Sequence, residues 1–362
     1  MKGMLGARRT RRAIGFASIA VAAAAITTAI ALPTLLVPHF QRIPADIRAD
    51  TLSVVDDAQL IDVTATMAGR ARTETGVPLR ISMLVSSIGP TTDRTVTMQG
   101  ATRMYRADRT GAEATVSASV DKVTLDRYSS SPTGPPGLTS ITAGIVDTTP
   151  RRGFQYKLPF GTTDSGRYLM YDDVARVDVP LTYVDGARHE NGMRLLHFRS
   201  EVAPTNLFPR QPDMFLTLPA SYWGLPGDDE IQFDLHYSAQ RDIWVEPQSG
   251  MIVEIRAHLH RELARRDLGP SDPAAVTTLD AHTRFDEQTL AETLDLARTA
   301  RTQIMWGRFY GPAVLGVVGA LTLLAGILIL RRTARPARTV PGSEDPTGPD
   351  TAPRTQKGAD HE

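Results

Sequence analysis

Ile231-Gln232-Phe233-Asp234-Leu235-His236-Tyr237-Ser238, and then Ile243-Trp244-Val245-Glu246-Pro247-Gln248-Ser249-Gly250-Met251, decide the fold class. Ile231, Phe233, Leu235 and Tyr237 face one way; Gln232, Asp234, His236 and Ser238 face the other, as in a half-buried strand. Pro247 sets φ for the second turn residue and Gly250 takes the positive-φ position, so Glu246–Gly250 closes a hairpin. Its second arm runs from Met251 to Leu263.

The same period continues outward. Leu79-Arg80-Ile81-Ser82-Met83 and Ala114-Thr115-Val116-Ser117-Ala118-Ser119-Val120 alternate, and so does Arg176 to Val184, where Pro180 predicts an edge strand or a bulge. Ser129-Ser130-Ser131-Pro132-Thr133-Gly134-Pro135-Pro136-Gly137 cannot form a ladder and reads as a loop or flexible lid. Thr289-Leu290-Ala291-Glu292 fits a capping box, and Leu290, Leu294 and Ala297 share a helical face. A helix from about Glu287 is therefore expected. The fold class is mainly β (α+β).

Two apolar runs flank this region. Ala13–Val37 spans 25 residues without a charge, and Tyr310–Leu330 has the same property. Each exceeds the roughly 20 residues that cross a hydrocarbon core of about 30 Å. Lys2, Arg8, Arg9, Arg11 and Arg12 precede the first run; Arg331, Arg332, Arg335 and Arg338 follow the second. The positive-inside rule then places both termini in the cytoplasm and the middle outside, with Trp306, Phe309 and Tyr310 as an aromatic belt.

A cleavable signal is the competing reading of the first run, with Ala29-Ile30-Ala31 as cleavage site and a faint twin-Arg pattern at Arg11-Arg12. The run is longer than the 7–15 residues of a signal core, which favours an uncleaved signal anchor. The expected order is a basic head (1–12), a first span (13–37), one β-rich extracytoplasmic domain (38–309), a second span (310–330) and a disordered tail (331–362).

Forty basic and 40 acidic residues cancel over the 362-residue chain, which argues against a nucleic-acid partner. Without the head and the tail the sum falls to about −6, so the field does not steer anions. No cysteine exists to form a disulfide, a thiolate metal site or a Cys nucleophile.

Sites of chemistry are sparse. No Gly-x-Ser-x-Gly, phosphate loop or His-Glu-x-x-His occurs, and no catalytic residue or cofactor is expected. His258 and His260, two apart on a strand, form the best metal-ligating pair, with His236 and Asp234 alongside. A solvated polar face explains the same pattern. The doublets Asp172-Asp173 and Asp228-Asp229-Glu230 offer carboxylates for calcium or acid/base work, yet both lie beside turns, where Asp serves local hydrogen bonds. Small residues recur four apart at Gly307 and Gly311 and at Gly316 and Ala320; the first pair sits at the membrane edge, where no packing role is expected, and Ala20 and Ala24 offer a facing surface for the second.

These features together resemble the porin PorA family of actinobacterial membrane proteins. Ile243–Gly250 is similar to its Trp-Val-Asp-Pro-x-Thr-Gly turn, with Glu246 for Asp and Ser249 for Thr. Leu158-Pro159-Phe160-Gly161, through Tyr168 to Asp172, is similar to its Pro-Phe…Tyr…Asp stretch. The resemblance covers nearly the whole chain and implies no catalytic set, while some relatives are associated with envelope glycolipid metabolism. Trp244, Glu246, Pro247 and Gly250 are expected to be structural, with Trp244 in the core.

The expected function is a non-enzymatic envelope protein that binds or passes a membrane lipid or glycolipid, with the Ser129–Gly137 loop as a cover. One alternative is a scaffold for envelope enzymes. A pore is another, which two helices per subunit could line only by oligomerising; neither span carries the central ionisable residue that an ion path usually shows. A glycan-acting enzyme using Asp172, Asp228 or Glu230 is the third.

Overall fold

The computed structural model describes residues 2–134, 140–142, 145–147, 149–190 and 192–334. The expected tail beyond residue 334 and the Pro135–Gly137 part of the loop lie outside them. Helices α1 (Lys2–Ala31), α2 (Val37–Phe40), α3 (Val63–Met67), α4 (Glu287–Met305) and α5 (Gly311–Ala334) are joined in part by π turns at Leu32–Leu36 and Trp306–Tyr310. Arg9–His39 and Glu287–Thr333 are thus two unbroken helices, each long and apolar enough to cross a membrane.

Among the described residues, those up to Thr27 and those from Leu315 to Ala334 form one compact unit. There the helices pack through small residues. A Cβ on Gly326 would lie 3.0 Å from the Gly15 carbonyl oxygen and 3.2 Å from Ser18, and one on Gly319 would lie 2.8 Å from Ile26. Ala22 is fully buried in this seam, whereas Ala20 and Ala24, the surface expected from sequence, are exposed. Gly15, Ala22 and Ile26 fall on one stripe of a 3.6-residue helix, and Ala20 and Ala24 do not. Gly316 faces open space.

Thr28–Val314 form the other unit. Here Gly307 and Gly311 are packing residues, contrary to the sequence reading: added Cβ atoms would meet Val37 at 2.7 Å and Leu32 at 3.2 Å.

Among the described residues, thirteen strands build this unit's sheet: β1 (Arg48–Ile61), β2 (Thr73–Thr91), β3 (Thr95–Arg106), β4 (Thr115–Asp126), β5 (Ser140–Thr142), β6 (Ile145–Asp147), β7 (Tyr168–Asp172), β8 (Val177–Glu190), β9 (Met193–Asn206), β10 (Phe215–Pro219), β11 (Glu230–Glu246), β12 (Met251–Arg265) and β13 (Val276–Phe285). The order is β6-β5-β4-β3-β2-β1-β13-β12-β11-β9-β8-β7, with β10 also on β11. Pairing is antiparallel throughout, and the first long strand pairs with the last, Gln59 opposite Asp280. Pro180 lies opposite Leu169 of β7, before β8 begins to pair with β9 at Thr182, so it costs no ladder bond on that side.

The sheet curls on itself. In a flat sheet β4 and β7 would lie about 43 Å apart, nine strand spacings of ~4.8 Å. Yet Arg151 pairs with Asp121 of β4 at 2.6 Å, and Phe154, three residues on, bridges Met170 of β7. The inner face holds the core: Val55, Leu79, Leu279, Ala281, Phe198 and Ile243 are all but completely buried. The outer face is polar, with Glu254, Arg256, His258 and Asp280 in the alternate positions. Helix α4 covers part of it, setting Leu294 and Ala297 against Val253 and Leu195. Its N-cap is Asp286, which accepts from the Thr289 amide at 2.8 Å; Thr289, expected as the cap, instead accepts the Leu52 amide at 3.0 Å.

Candidate functional site

The segment from Arg151 to Gly161 straps the inner face. The Arg151 side chain, fully buried, makes a two-pronged bond to Asp121 at 2.8 and 2.6 Å. Gln155 and Tyr156 donate to the same carboxylate. Tyr156 crosses β3 where Gly100 leaves room, because a Cβ there would lie 2.7 Å from the phenol oxygen.

Beyond Tyr156 the strap docks on the β11–β12 turn. The Leu158 amide donates to the Gly250 carbonyl oxygen at 2.9 Å, and the Gly161 amide to that of Gln248 at 3.2 Å. Gly250 has φ +71°, and a Cβ would collide with the carbonyl oxygens of Leu158 and Pro159. Glu246, fully buried, accepts from the Ser249 amide and hydroxyl, both at 2.7 Å, and lies 3.9 Å from Arg301 of α4. Pro247 stands in the turn that these bonds hold.

Trp244 is not in the inner core. Ile243 and Val245 point inward and are completely buried, so the pleat sends Trp244 outward. There it joins the cluster beneath α4, stacks on His197 at 4.6 Å and lies 5.1 Å from the guanidinium carbons of both Arg188 and Arg256.

A cavity of about 690 Å³ remains on the inner face, lined from β1, β2, β3 and β4 and from β10, β11, β12 and β13. Leu60, Met104, Leu235, Leu263 and Leu279 supply its apolar wall, and Phe215 and Val116 stand at its sides. Arg106 is neutralised by Glu74 at 2.6 Å and Asp108 at 2.7 Å. The bonds from Arg106 hold the Glu74 carboxyl below its ordinary range, against the cost of burial. Arg261 differs: its guanidinium lies 5.7 Å over the Tyr237 ring, and its buried Nε has no hydrogen-bond partner among the described residues.

Tyr237 leads to a second buried network. Its hydroxyl donates to Asp172 at 3.0 Å, and Arg241 reaches the same oxygen at 2.6 Å. Asp172 also accepts the Ala175 amide at 2.7 Å. Asp172 therefore ties β7 to β11, with both of its carboxylate oxygens held. Asp228, Asp229 and Glu230 are exposed where the chain enters β11, and no ligand set forms around them among the described residues.

Of the predicted histidines, two stay together and His236 stands apart. His258 and His260 lie opposite His282 and Asp280 of β13, and the Asp280 carboxylate is 3.2 Å from His258 and 2.7 Å from His260. His236 lies opposite Glu262 instead, buried beside Gly269, and burial lowers its pKa. Asp234 is held by Arg266, Asn206 and Gln232 and faces no histidine cluster. The partners that sequence reasoning missed are Asp280 and His282, whose spacing of two on an alternating stretch was the available signal.

A curled antiparallel sheet carried between two apolar helices, with a ligand-sized cavity on its inner face, defines the class as a membrane-anchored β-domain protein. Residues 14–328 match the family model of porin PorA, and the chain belongs to that family. It is 27% identical to a porin PorA of Corynebacterium amycolatum, over 90% of this chain and all of that protein. It is 24% identical to one of Corynebacterium resistens, over 88% of this chain and 97% of that protein.

Proposed function

We propose that this protein is a non-enzymatic part of the cell envelope that binds or passes a lipid or glycolipid. Two spans hold it in the plasma membrane with both termini cytoplasmic and the sheet outside. The supporting observation is the inner-face cavity, whose volume falls in the roughly 300–1,000 Å³ range of small-molecule sites. Its apolar wall suits acyl chains, and Arg261, with an unused donor, suits a polar or anionic headgroup.

The test is mass spectrometry of the full chain purified in mild detergent, beside a Ser117→Trp variant that fills the cavity from β4. Lipid carried by the wild type and lost several-fold in the variant supports the reading. Lipid at the detergent background in both rejects it. Reporter fusions at Ser130 and at the C-terminus check the topology.

The name carried by the relatives favours a second reading, a pore. The outer face argues against a lipid-facing barrel, because Glu254, Arg256 and Asp280 stand where such a barrel needs an apolar band. A pore would then be made by helices of several copies. Conductance in planar bilayers that survives Ser117→Trp would favour it.

A further inference from the structure

The outer face of β12 and β13 carries a cluster that the cavity does not use. His258 and His282 are cross-strand partners whose rings stack at 4.2 Å with 8° between their planes. Asp280 is two residues from His282 on β13 and so shares its face. Both Asp280 carboxylate oxygens lie 3.2 Å from Nε2 of His258. One ligand atom from each of the three residues lies within 4.8 Å of the others.

His260 holds this group in place. Its Nδ1 is 2.7 Å from Asp280 and its Nε2 is 3.4 Å from Glu262, so both ring nitrogens already face carboxylates. His282 is different, for its ring nitrogens have no hydrogen-bond partner among the described residues. The near-parallel rings form an ordinary offset stack, so one of them must turn before both can aim a nitrogen lone pair at the same ion. The three residues do gather two imidazoles and a carboxylate on one partly exposed patch, with one ligand atom of each within reach of a common point.

We propose that His258, Asp280 and His282 bind one late first-row divalent cation of the zinc type, with the fourth position open to solvent. Two imidazoles and a carboxylate are donors that zinc accepts. Tetrahedral zinc sets its ligand atoms about 3.3 Å apart, so atoms that lie within 4.8 Å of one another must close by up to about 1.5 Å. Rotation achieves this, because all three are at least partly exposed. His260 is a positioning residue that orients Asp280, as outer partners do for metal-bound carboxylates. The ion would bridge β12 to β13, the strand that joins the last part of the sheet to β1.

The full chain, purified in detergent with a tag free of histidine and stripped with EDTA, is titrated with zinc chloride by calorimetry. Saturable binding of one equivalent is expected, with a melting temperature that rises with zinc. His282→Ala and Asp280→Asn should each weaken binding at least tenfold while keeping the metal-free melting temperature. His260→Ala should weaken it less and shift the visible bands of the cobalt(II) form. His189→Ala, on exposed β8, should match the wild type. Absence of saturable binding overturns the proposal, and so does equal affinity in the wild type and an Asp280→Asn/His282→Ala double variant that still folds.

Discussion

Leu158 donates its amide hydrogen to the carbonyl oxygen of Gly250 at 2.9 Å, and this bond joins the two stretches on which the family resemblance rests. They lie about ninety residues apart in the chain and form one joint. The strap that crosses the inner face is therefore anchored at Asp121 on one side and at the Glu246–Gly250 turn on the other.

Gly250→Ala should destabilise the domain by at least about 2 kcal/mol, since it adds a left-handed backbone penalty to a collision with two carbonyls. At this size that is a fall of roughly 4–8 °C in Tm. Gly250→Asn, which tolerates the backbone angle, should do no better because the collision persists. Gly224→Asn should be near neutral, because φ is similar at +74° and the space is open. Differential scanning fluorimetry separates the three.

Arg241→Met leaves the Asp172 carboxylate buried without its cation and should cost about 3–5 kcal/mol. Removing both charges, as in Asp172→Leu with Arg241→Met, should recover most of that loss. Urea midpoints of the two variants decide it; a double variant as weak as the single one would show that the pair itself is net stabilising.

Asp272 supplies a pH dependence. Its bonds from Arg265, above all, outweigh burial and push the carboxyl down to about 2 in the folded state, against 3.8 for the free group. The unfolded chain takes up the proton first, so the stabilisation is present above pH 4 and is lost as pH falls toward 2. The loss is at most about 2–3 kcal/mol. Asp272→Asn should flatten that part of the wild-type stability curve and leave the slope above pH 5 unchanged.

The absence of native cysteine makes the packing of the spans directly testable. A Cβ on Gly326 lies 3.2 Å from that of Ser18, so Ser18→Cys with Gly326→Cys should oxidise to an intramolecular disulfide once the helices give by a few tenths of an ångström. Ala20→Cys with Gly316→Cys should not, because Ala20 is exposed and Gly316 faces open space. Non-reducing gel mobility reads both.

Local patterns were legible in the residues themselves. The alternation from Ile231 to Val245, the Pro247–Gly250 turn and the long uncharged runs are written over a few neighbouring positions. Strand, turn and span follow from period, φ preference and length alone. The helix from Glu287 was equally visible, although its cap moved to Asp286, because Thr289 finds a partner in Leu52. The outward turn of Trp244 was implicit too: a residue between inward Ile243 and Val245 has to point the other way.

What no local pattern carried was who faces whom across the sheet. His258 was visible, but its neighbours depended on register. The ladder sets it against His282 rather than His236, and a shift of one residue would have turned every side chain to the other face. Likewise the strap, the Asp172–Arg241 pair and the cavity join residues tens to more than a hundred positions apart. The sequence by itself determined the elements, the two apolar helices and the charge of each segment, because these depend on neighbouring residues. Only the tertiary structure decided the curl, the closing strap and the two candidate sites, because these depend on strand pairing over long separations, which composition and period do not encode.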